Sequence, residues 1–224
     1  MTKPRTRLAS DSRASMFTYR VVRSLVCGFT QVFTRMRIDG RERLPLTGAY
    51  VLAPIHRSYV DTPIVACITR RRVRFMGKQE IWKYPRLGWL CSALGAFPVN
   101  RGSADREALS RCITVLERGE PLVLFPEGER KDGSRVHPLF GGAAFVAARA
   151  GVPIVPVGIG GSARVMPRHA KTIRPKKVHV VVGNPIVVAV DTSGRASRRA
   201  INEASERLSV ELQRLFDLAE ARVG

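Results

Sequence analysis

The fold is decided by the run Tyr50-Val51-Leu52-Ala53-Pro54-Ile55-His56-Arg57-Ser58-Tyr59-Val60-Asp61. Residues 50–55 form an apolar run, which is typical of a strand that is buried on both faces of a parallel sheet. The residues after it are polar or turn-forming, and Ser58 can cap a helix that has Asp61 in its first turn. The run therefore predicts a strand, a turn and a helix.

Two chemistry-bearing side chains stand at the end of this strand. His56 and Asp61 are five residues apart, and they do not share a face of a straight helix because five residues turn about 140° beyond a full circle. They can meet if the chain turns between them. The carboxylate would then accept one imidazole N–H and leave the other ring nitrogen free as a base.

Strands and helices alternate along the rest of the chain. Further strands are predicted at 35–39, 73–77, 95–99, 121–125, 152–159 and 177–182, and helices at 63–69, 84–94, 104–118, 142–150 and 198–221. The strands are apolar runs rather than strict alternations, so we expect an α/β fold with a mixed, largely parallel central sheet flanked by helices. Functional residues in such sheets collect where strands end.

Residues 15–34 have apolar side chains at helical spacing, so they predict an amphipathic helix. Two alternatives fit: a helix packed on the protein's own core, or one lying on a membrane surface, which the arginines and aromatic residues favour. We predict a polar tail and a membrane-docking helix over 1–34, then one domain over 35–224 that includes the C-terminal helix. No run approaches the roughly 18 apolar residues of a membrane-spanning helix.

The charge is strongly positive, with 38 Lys and Arg against 18 Asp and Glu and a formal net charge of +20. Such a chain attracts polyanions: an anionic membrane surface, phosphorylated ligands or nucleic acid. Because the sequence has no stacking motif, helix-turn-helix or zinc signature, we expect no nucleic-acid binding. The basic clusters at 70–86 and 161–178 fit a membrane-facing or donor-binding surface.

The four cysteines are Cys27, Cys67, Cys91 and Cys112. They are not spaced as zinc ligands, and all have apolar neighbours. This pattern predicts buried, reduced thiols.

Three further segments place notable residues at the end of a strand or within it. The first, 95–101, delivers Arg101 at the end of a strand, and the second, Phe125-Pro126-Glu127-Gly128-Glu129-Arg130, runs from a strand into charged residues. The third, 152–157, has two prolines, which cannot donate to a strand ladder, and it could line a cavity for an apolar chain. Each segment alone also fits a solvated turn or an edge strand.

In this order, the four segments resemble the motifs of the glycerolipid acyltransferase family, in particular bacterial 1-acyl-sn-glycerol-3-phosphate acyltransferases, over roughly residues 36–190. The resemblance implies an enzyme of phospholipid biosynthesis that moves a fatty acyl group from acyl-CoA or an acyl carrier protein to a lysophospholipid. The expected acceptor is lysophosphatidate and the product phosphatidate. No metal or bound cofactor is implied, and the expected location is the cytoplasmic face of the cell membrane, as a peripheral protein.

The resemblance also implies roles for individual residues. His56 would be the general base, oriented by Asp61. The phosphate would be held by Arg101 and the 127–130 turn, and the proline-bearing strand would shape the acyl or donor site. The expected substrate-binding residues are Arg101, Glu127, Gly128, Arg130, Ser58, Lys78 and Pro156.

Two positions depart from the family pattern. Ile55 stands where the family most often has Asn, and Glu129 stands where it most often has Thr. A carboxylate beside a phosphate site is unfavourable unless it is paired, for example with Lys131 or Arg130. Another lysolipid or glycerol 3-phosphate therefore stays open as the acceptor.

Overall fold

The computed structural model describes residues 13–99, 106–170, 172–192 and 194–224. The strands are β1 Arg37–Asp39, β2 Val51–Pro54, β3 Arg74–Lys78, β4 Ala96–Val99, β5 Leu122–Val123, β6 Ile154–Gly160 and β7 His179–Val182. The α-helices are α1 Arg13–Thr34, α2 Asp61–Ile68, α3 Pro85–Ala93, α4 Arg106–Glu117, α5 Gly142–Ala150, α6 Ser162–Val165 and α7 Arg198–Ala221. Short 3₁₀ turns follow β1 and β3, and neither they nor α6 are among the elements that the sequence predicts.

The described strands form one seven-stranded sheet in the order β1-β7-β6-β2-β5-β3-β4. Strand β2 lies in the middle, parallel to β6 on one side and to β5 on the other. Strands β3 and β4 continue the parallel set beyond β5, whereas β7 runs antiparallel to β6 and has β1 parallel to it at the edge. This confirms the mixed, largely parallel sheet that the apolar runs predict.

The central run is buried because β2 has neighbours on both edges and helices on both faces. Leu52 packs into a core cluster with α2, while Val51 and Ala53 pack into a second cluster with α4 and α5. Successive residues of a strand point to opposite faces, so each face of β2 has its own apolar layer. A strand with no solvent-facing side needs no polar alternation.

Helix α7 packs closely on β6, and two glycines allow it. A Cβ at Gly158 would lie 2.4 Å from the backbone of Leu215, and one at Gly160 would lie 2.3 Å from that of Ala219. These distances are far below van der Waals contact, so a side chain at either glycine would push the helix away. The C-terminal helix thus packs on the sheet, whereas a domain boundary at residue 34 stays a prediction.

Helix α1 has one packed side and one exposed side. Tyr19, Thr30 and Thr34 are buried, and the helix contacts α2. By contrast, Leu25 is 69% exposed and Val32 is 81% exposed. One side of the helix therefore packs on the protein's own core, while docking on a membrane stays a prediction. Among the described helices, none is long and apolar enough to cross a membrane.

The cysteine prediction is wrong for two of the four residues. Cys27 of α1 and Cys67 of α2 form a disulfide with a Cα–Cα distance of 5.5 Å. They are 40 residues apart in the sequence, and only the packing of α1 on α2 brings them together. Cys91 and Cys112 are free, and burial raises the pKa of the Cys112 thiol to about 12.

Candidate active site

Two adjacent strands bring the candidate residues to one edge of the sheet. Strand β2 runs into His56, and β5 runs towards Glu127. Because β2 and β5 pair in parallel, their carboxyl ends lie side by side. The backbone N–H of Lys131 donates to the carbonyl of His56 at 3.0 Å, which joins the loop 55–61 to the loop 125–131.

His56 and Asp61 meet as the sequence predicts. The Nδ1 atom of His56 lies 3.0 Å from Oδ2 of Asp61. The same oxygen accepts the backbone N–H groups of Arg57 and Ser58, each at 2.7 Å, and Asp61 is fully buried. The turn between the two residues therefore wraps around one carboxylate oxygen. That oxygen fixes Nδ1 as the protonated nitrogen and leaves Nε2 to take a proton.

The imidazole is held in place by its surroundings and still reaches the surface. Its ring stacks on Phe125, with a centroid distance of 3.9 Å and an interplanar angle of 24°. The His56 side chain is 15% exposed. The ring orientation is thus restricted by both a carboxylate and an aromatic face, while a substrate hydroxyl could approach its open side.

Glu127 lies behind this turn and not at its surface. It is completely buried, and its Oε2 atom accepts the backbone N–H of His56 at 3.1 Å and Nη1 of Arg57 at 2.7 Å. Its Oε1 atom accepts the backbone N–H of His137 at 3.0 Å. All of these partners belong to the protein. Glu127 therefore holds the backbone of the base, in contrast to the direct substrate contact that the motif implies.

Arg57 is a residue that the sequence reasoning missed. Its side chain is 2% exposed, and besides Glu127 it donates to the carbonyls of His56, Gly133 and Arg135 at 3.1, 3.2 and 2.8 Å. Its guanidinium also lies 5.2 Å from the ring centroid of Phe216 in α7. Arg57 thus ties the histidine turn to the loop 126–137. The motif holds no signal for this role, because an arginine in a polar turn is usually solvated.

Arg130 lies at the mouth of the site. The central carbon of its guanidinium is 3.3 Å from the ring centroid of Tyr59, and its Nη1 atom donates to the carbonyl of Arg168 at 3.1 Å. The turn before it depends on Gly128, which has a φ of 73° and would bring a Cβ within 2.7 Å of the Phe140 ring. The predicted turn thus exists, with a conformation that only glycine adopts freely.

Glu129 is paired, as its position beside Arg130 requires. Lys131 Nζ lies 2.7 Å from Glu129 Oε1. This hydrogen bond and the ammonium charge lower the pKa of the Glu129 carboxyl, and Arg168 acts in the same direction. The turn therefore presents a Glu129–Lys131 ion pair beside the arginine.

Two of the expected substrate residues are engaged with the protein. The Ser58 hydroxyl is buried and donates to the carbonyl of Met166 at 2.7 Å. Pro156 lies inside the sheet opposite Ala53, and its carbonyl accepts the N–H of Gly183 just past the end of β7. The proline is tolerated in a buried strand because its missing N–H falls where the ladder with β7 has ended.

The structure says less about the remaining two expected residues, Arg101 and Lys78. Arg101 lies outside the described residues. Lys78 is the last residue of β3. Their place in the substrate site stays a prediction.

An apolar cavity of about 440 Å³ opens beside the histidine turn. Phe29 and Phe33 of α1 form one side, and Val60, Pro63 and Val165 are among the residues that form the rest. One lining residue, Val60, directly precedes Asp61 in the sequence, so the cavity borders the turn that holds the His56–Asp61 pair. Among the described residues, no group of three His, Cys, Asp or Glu side chains could hold a metal ion.

The chain is similar to known proteins in both sequence and structure. The model of the acyltransferase family matches residues 35–160. The crystal structure of a 1-acyl-sn-glycerophosphate acyltransferase from Thermotoga maritima has a TM-score of 0.78, covering 97% of this chain and 86% of that chain at 23% identity. This likeness shows that the two chains share a fold.

Curated relatives share parts of the sequence. A chloroplastic 1-acyl-sn-glycerol-3-phosphate acyltransferase from Brassica napus is 30% identical over 158 residues, 69% of this chain and 46% of that protein. The enzyme of the same name from Streptococcus pneumoniae is 31% identical over 169 residues, 74% and 60% of the two chains. A lyso-ornithine lipid O-acyltransferase from Pseudomonas aeruginosa is 32% identical over 105 residues, 46% and 40%. This chain spans about half the length of the first relatives that it matches.

Proposed function

This chain belongs to the acyltransferase family, and on that premise we propose that it transfers a fatty acyl group from a thioester to the free hydroxyl of 1-acylglycerol 3-phosphate. The product would be phosphatidate. The observation that carries the proposal is the His56–Asp61 pair at the carboxyl end of β2, with Nδ1 on a buried carboxylate. The donor would be acyl-CoA or an acyl carrier protein thioester, with no bound cofactor.

The proposed reaction needs one base and no covalent intermediate. Nε2 of His56 takes the proton of the acceptor hydroxyl while the oxygen attacks the thioester carbonyl carbon. The carbon–sulfur bond then breaks, and the imidazolium returns its proton to the departing thiolate. Asp61 stabilises the imidazolium between these steps, and general base catalysis of this kind contributes roughly 10²–10⁴-fold in rate.

The acceptor's phosphate is assigned to the mouth of the site. Arg130 is the candidate for bidentate binding, since a guanidinium matches the geometry of a phosphate. The acyl chains of donor or acceptor are assigned to the apolar cavity between α1 and Pro63. Its wall of Phe29 and Phe33 has the chemistry that a hydrocarbon chain requires.

We further propose that the protein docks on the cytoplasmic face of the membrane as a peripheral protein, where the Cys27–Cys67 disulfide would be an exception to the reduced thiols that are usual there. Exposed apolar side chains on α1, including Leu25 and Val32, support this proposal. So does the formal net charge of +20, because each basic residue near an anionic membrane adds about 1 kcal/mol of attraction. A lysolipid acceptor would then be taken from the membrane itself.

A second candidate acceptor is a lysolipid with an amino acid headgroup. Two observations favour it: the Glu129–Lys131 pair at the turn and the relative named lyso-ornithine lipid O-acyltransferase. Ornithine bears an amine and a carboxylate, so a site with both Glu129 and Arg130 could bind a zwitterion. The chemistry at His56 would be unchanged.

One assay separates these candidates. Purified protein is given palmitoyl-CoA or the palmitoyl carrier-protein thioester, with lysophosphatidate, lyso-ornithine lipid, glycerol 3-phosphate or monoacylglycerol as the acceptor. We expect transfer to lysophosphatidate, at a rate that His56→Ala lowers at least about 100-fold. Preferred transfer to lyso-ornithine lipid would support the second candidate, and transfer by His56→Ala at the wild-type rate would contradict the mechanism.

A further inference from the structure

We propose that Arg168 is a second headgroup-binding arginine, which Asp132 holds until an anionic headgroup takes the place of the Asp132 carboxylate. The inference rests on the proposed function, because it concerns the acceptor of that reaction. Arg168 lies outside the four sequence segments that carry the resemblance, in the loop after α6. Its role follows from the contacts of that loop with the site.

The backbone of this loop is fixed against both halves of the site. The carbonyl of Met166 accepts the hydroxyl of Ser58, in the histidine turn, at 2.7 Å. Two residues later, the carbonyl of Arg168 accepts Nη1 of Arg130 at 3.1 Å. The backbone at 166–168 therefore contacts both the histidine turn and Arg130, the arginine that is assigned to the phosphate.

The side chain of Arg168 has an exchangeable partner. Its Nη1 atom lies 3.1 Å from Oδ2 of Asp132, and the two side chains are 35% and 62% exposed. Water screens an ion pair this exposed, so the pair adds little to stability. A phosphate monoester has more negative charge than one carboxylate and can accept two parallel N–H bonds from a guanidinium, so it can displace Asp132.

Arg130 by itself offers a phosphate only part of its guanidinium. One face of its guanidinium lies on Tyr59, and one of its terminal nitrogens is used by the Arg168 carbonyl. Glu129, next to it, adds a negative charge that Lys131 neutralises. Arg168 adds positive charge to the same turn, since it helps to lower the pKa of the Glu129 carboxyl after the larger effect of Lys131. Two arginines together would offset the acidic residues of this turn.

The test measures three variants of the full chain with lysophosphatidate and with the phosphate-free acceptor monoacylglycerol. Arg168→Ala keeps the backbone carbonyl that holds Arg130, and we expect it to raise the KM for lysophosphatidate about 10- to 100-fold. We expect Asp132→Asn to lower that KM several-fold, because Arg168 loses its competing partner. Neither change should alter the KM for monoacylglycerol.

Arg164→Ala is the matched control. Arg164 lies in α6 of the same segment and pairs with Glu220 of α7 at 3.0 Å, with 46% of its side chain exposed. It has the same residue type and a similar exposure, but its partner belongs to α7 and not to the loop 126–137. We expect its KM values to equal those of the wild type.

Headgroup binding by Arg168 predicts that Arg168→Ala raises the KM for lysophosphatidate and that Asp132→Asn lowers it. A purely structural ion pair would give two changes in the same direction. If Arg168→Ala and Asp132→Asn both raise the KM, or if Arg168→Ala leaves it unchanged, the inference is wrong. An equal loss with monoacylglycerol would also overturn it.

Direct binding separates this inference from the proposed function. Calorimetric titration with short-chain lysophosphatidate below its micelle concentration is made on the same variants. If the wild type binds this lipid without transferring an acyl group to it and Arg168→Ala weakens binding, the proposed function fails and Arg168 keeps its role. If the wild type does not bind it, both are wrong.

Discussion

The loops around His56 and Glu127 keep charged side chains inside the protein, whereas helix α1 keeps apolar side chains outside it. Asp61 and Glu127 are fully buried and Arg57 nearly so, and their oxygens and nitrogens bond to the histidine turn and to neighbouring loops. On α1, Leu25 and Val32 have more than half of their surface exposed. The first arrangement fixes one geometry of the His56 ring, and the second leaves apolar side chains exposed to water.

The largest expected effect concerns the base itself. His56→Ala should lower kcat roughly 10²–10⁴-fold, because it removes the group that takes the hydroxyl proton. The melting temperature should change little, since the His56 ring is a small part of the buried network. The measurement is the transfer rate at saturating donor and acceptor, with thermal unfolding of the same sample. A variant that keeps its rate would show that another residue is the base.

The buried Arg57–Glu127 pair should affect the stability of the protein more than its transfer rate. Glu127→Ala leaves the Arg57 guanidinium buried without its carboxylate, and breaking a buried pair in this way costs about 3–5 kcal/mol. The free energy of unfolding in urea measures this cost. Arg199→Ala is a matched control, because Arg199 pairs with Glu203 on an exposed face of α7 and should lower stability by less than about 1 kcal/mol. Equal losses of stability in Glu127→Ala and Arg199→Ala would contradict the expected difference between a buried and an exposed ion pair.

The Cys27–Cys67 disulfide joins helix α1 to α2, the helix that begins at Asp61. Cys27→Ser should lower the free energy of unfolding by about 2–4 kcal/mol, because the cross-link closes a loop of 40 residues and so limits the unfolded chain. Limited proteolysis should then cut α1 faster than the sheet domain. Cys91→Ser is the control, since Cys91 is free. Thiol counting on the unfolded wild-type protein, purified without reductant, should find the two thiols of Cys91 and Cys112. A count of four thiols would mean that the disulfide is absent in solution.

The smallest effect on stability is expected at the exposed side of α1. Val32→Glu should change the free energy of unfolding by less than about 0.5 kcal/mol, because the side chain contacts little of the protein. We expect Val32→Glu to weaken the pelleting of the protein with anionic vesicles at low salt. Val210→Glu, at an exposed position of α7 (73% exposed), serves as the control. Equal pelleting of both variants would mean that α1 is not the docking surface.

Much of the fold was readable from hydrophobic patterning. The apolar run at 50–55, the two-proline run at 152–157 and the amphipathic run at 198–221 became β2, β6 and α7. Each of these elements is long or apolar enough for burial to decide its structure. Helix α6 and the 3₁₀ turns were not readable, because single short turns are set by the packing around them and leave no periodic pattern.

The site was readable only in part. The His56–Asp61 contact follows from spacing and a turn signal, and the structure places both atoms within hydrogen-bond distance. The sequence motif did not reveal that Glu127 faces inward, because a carboxylate in a charged turn is usually solvated. Nor did it point to Arg57 or Arg168, because Glu127 and Asp132, the carboxylates that they pair with, lie 70 and 36 residues away.

The sequence by itself determined the α/β sheet, the buried strand that runs into His56, and the pairing of His56 with Asp61. These depend on periodicity and on residues at most five positions apart, where short-range geometry leaves few alternatives. Only the tertiary structure decided that Cys27 meets Cys67, that Glu127 and Arg57 form an internal pair, and that Arg168 lies beside Arg130. Those contacts join segments that the chain separates widely, and their distances are set by how helices and loops pack on the sheet.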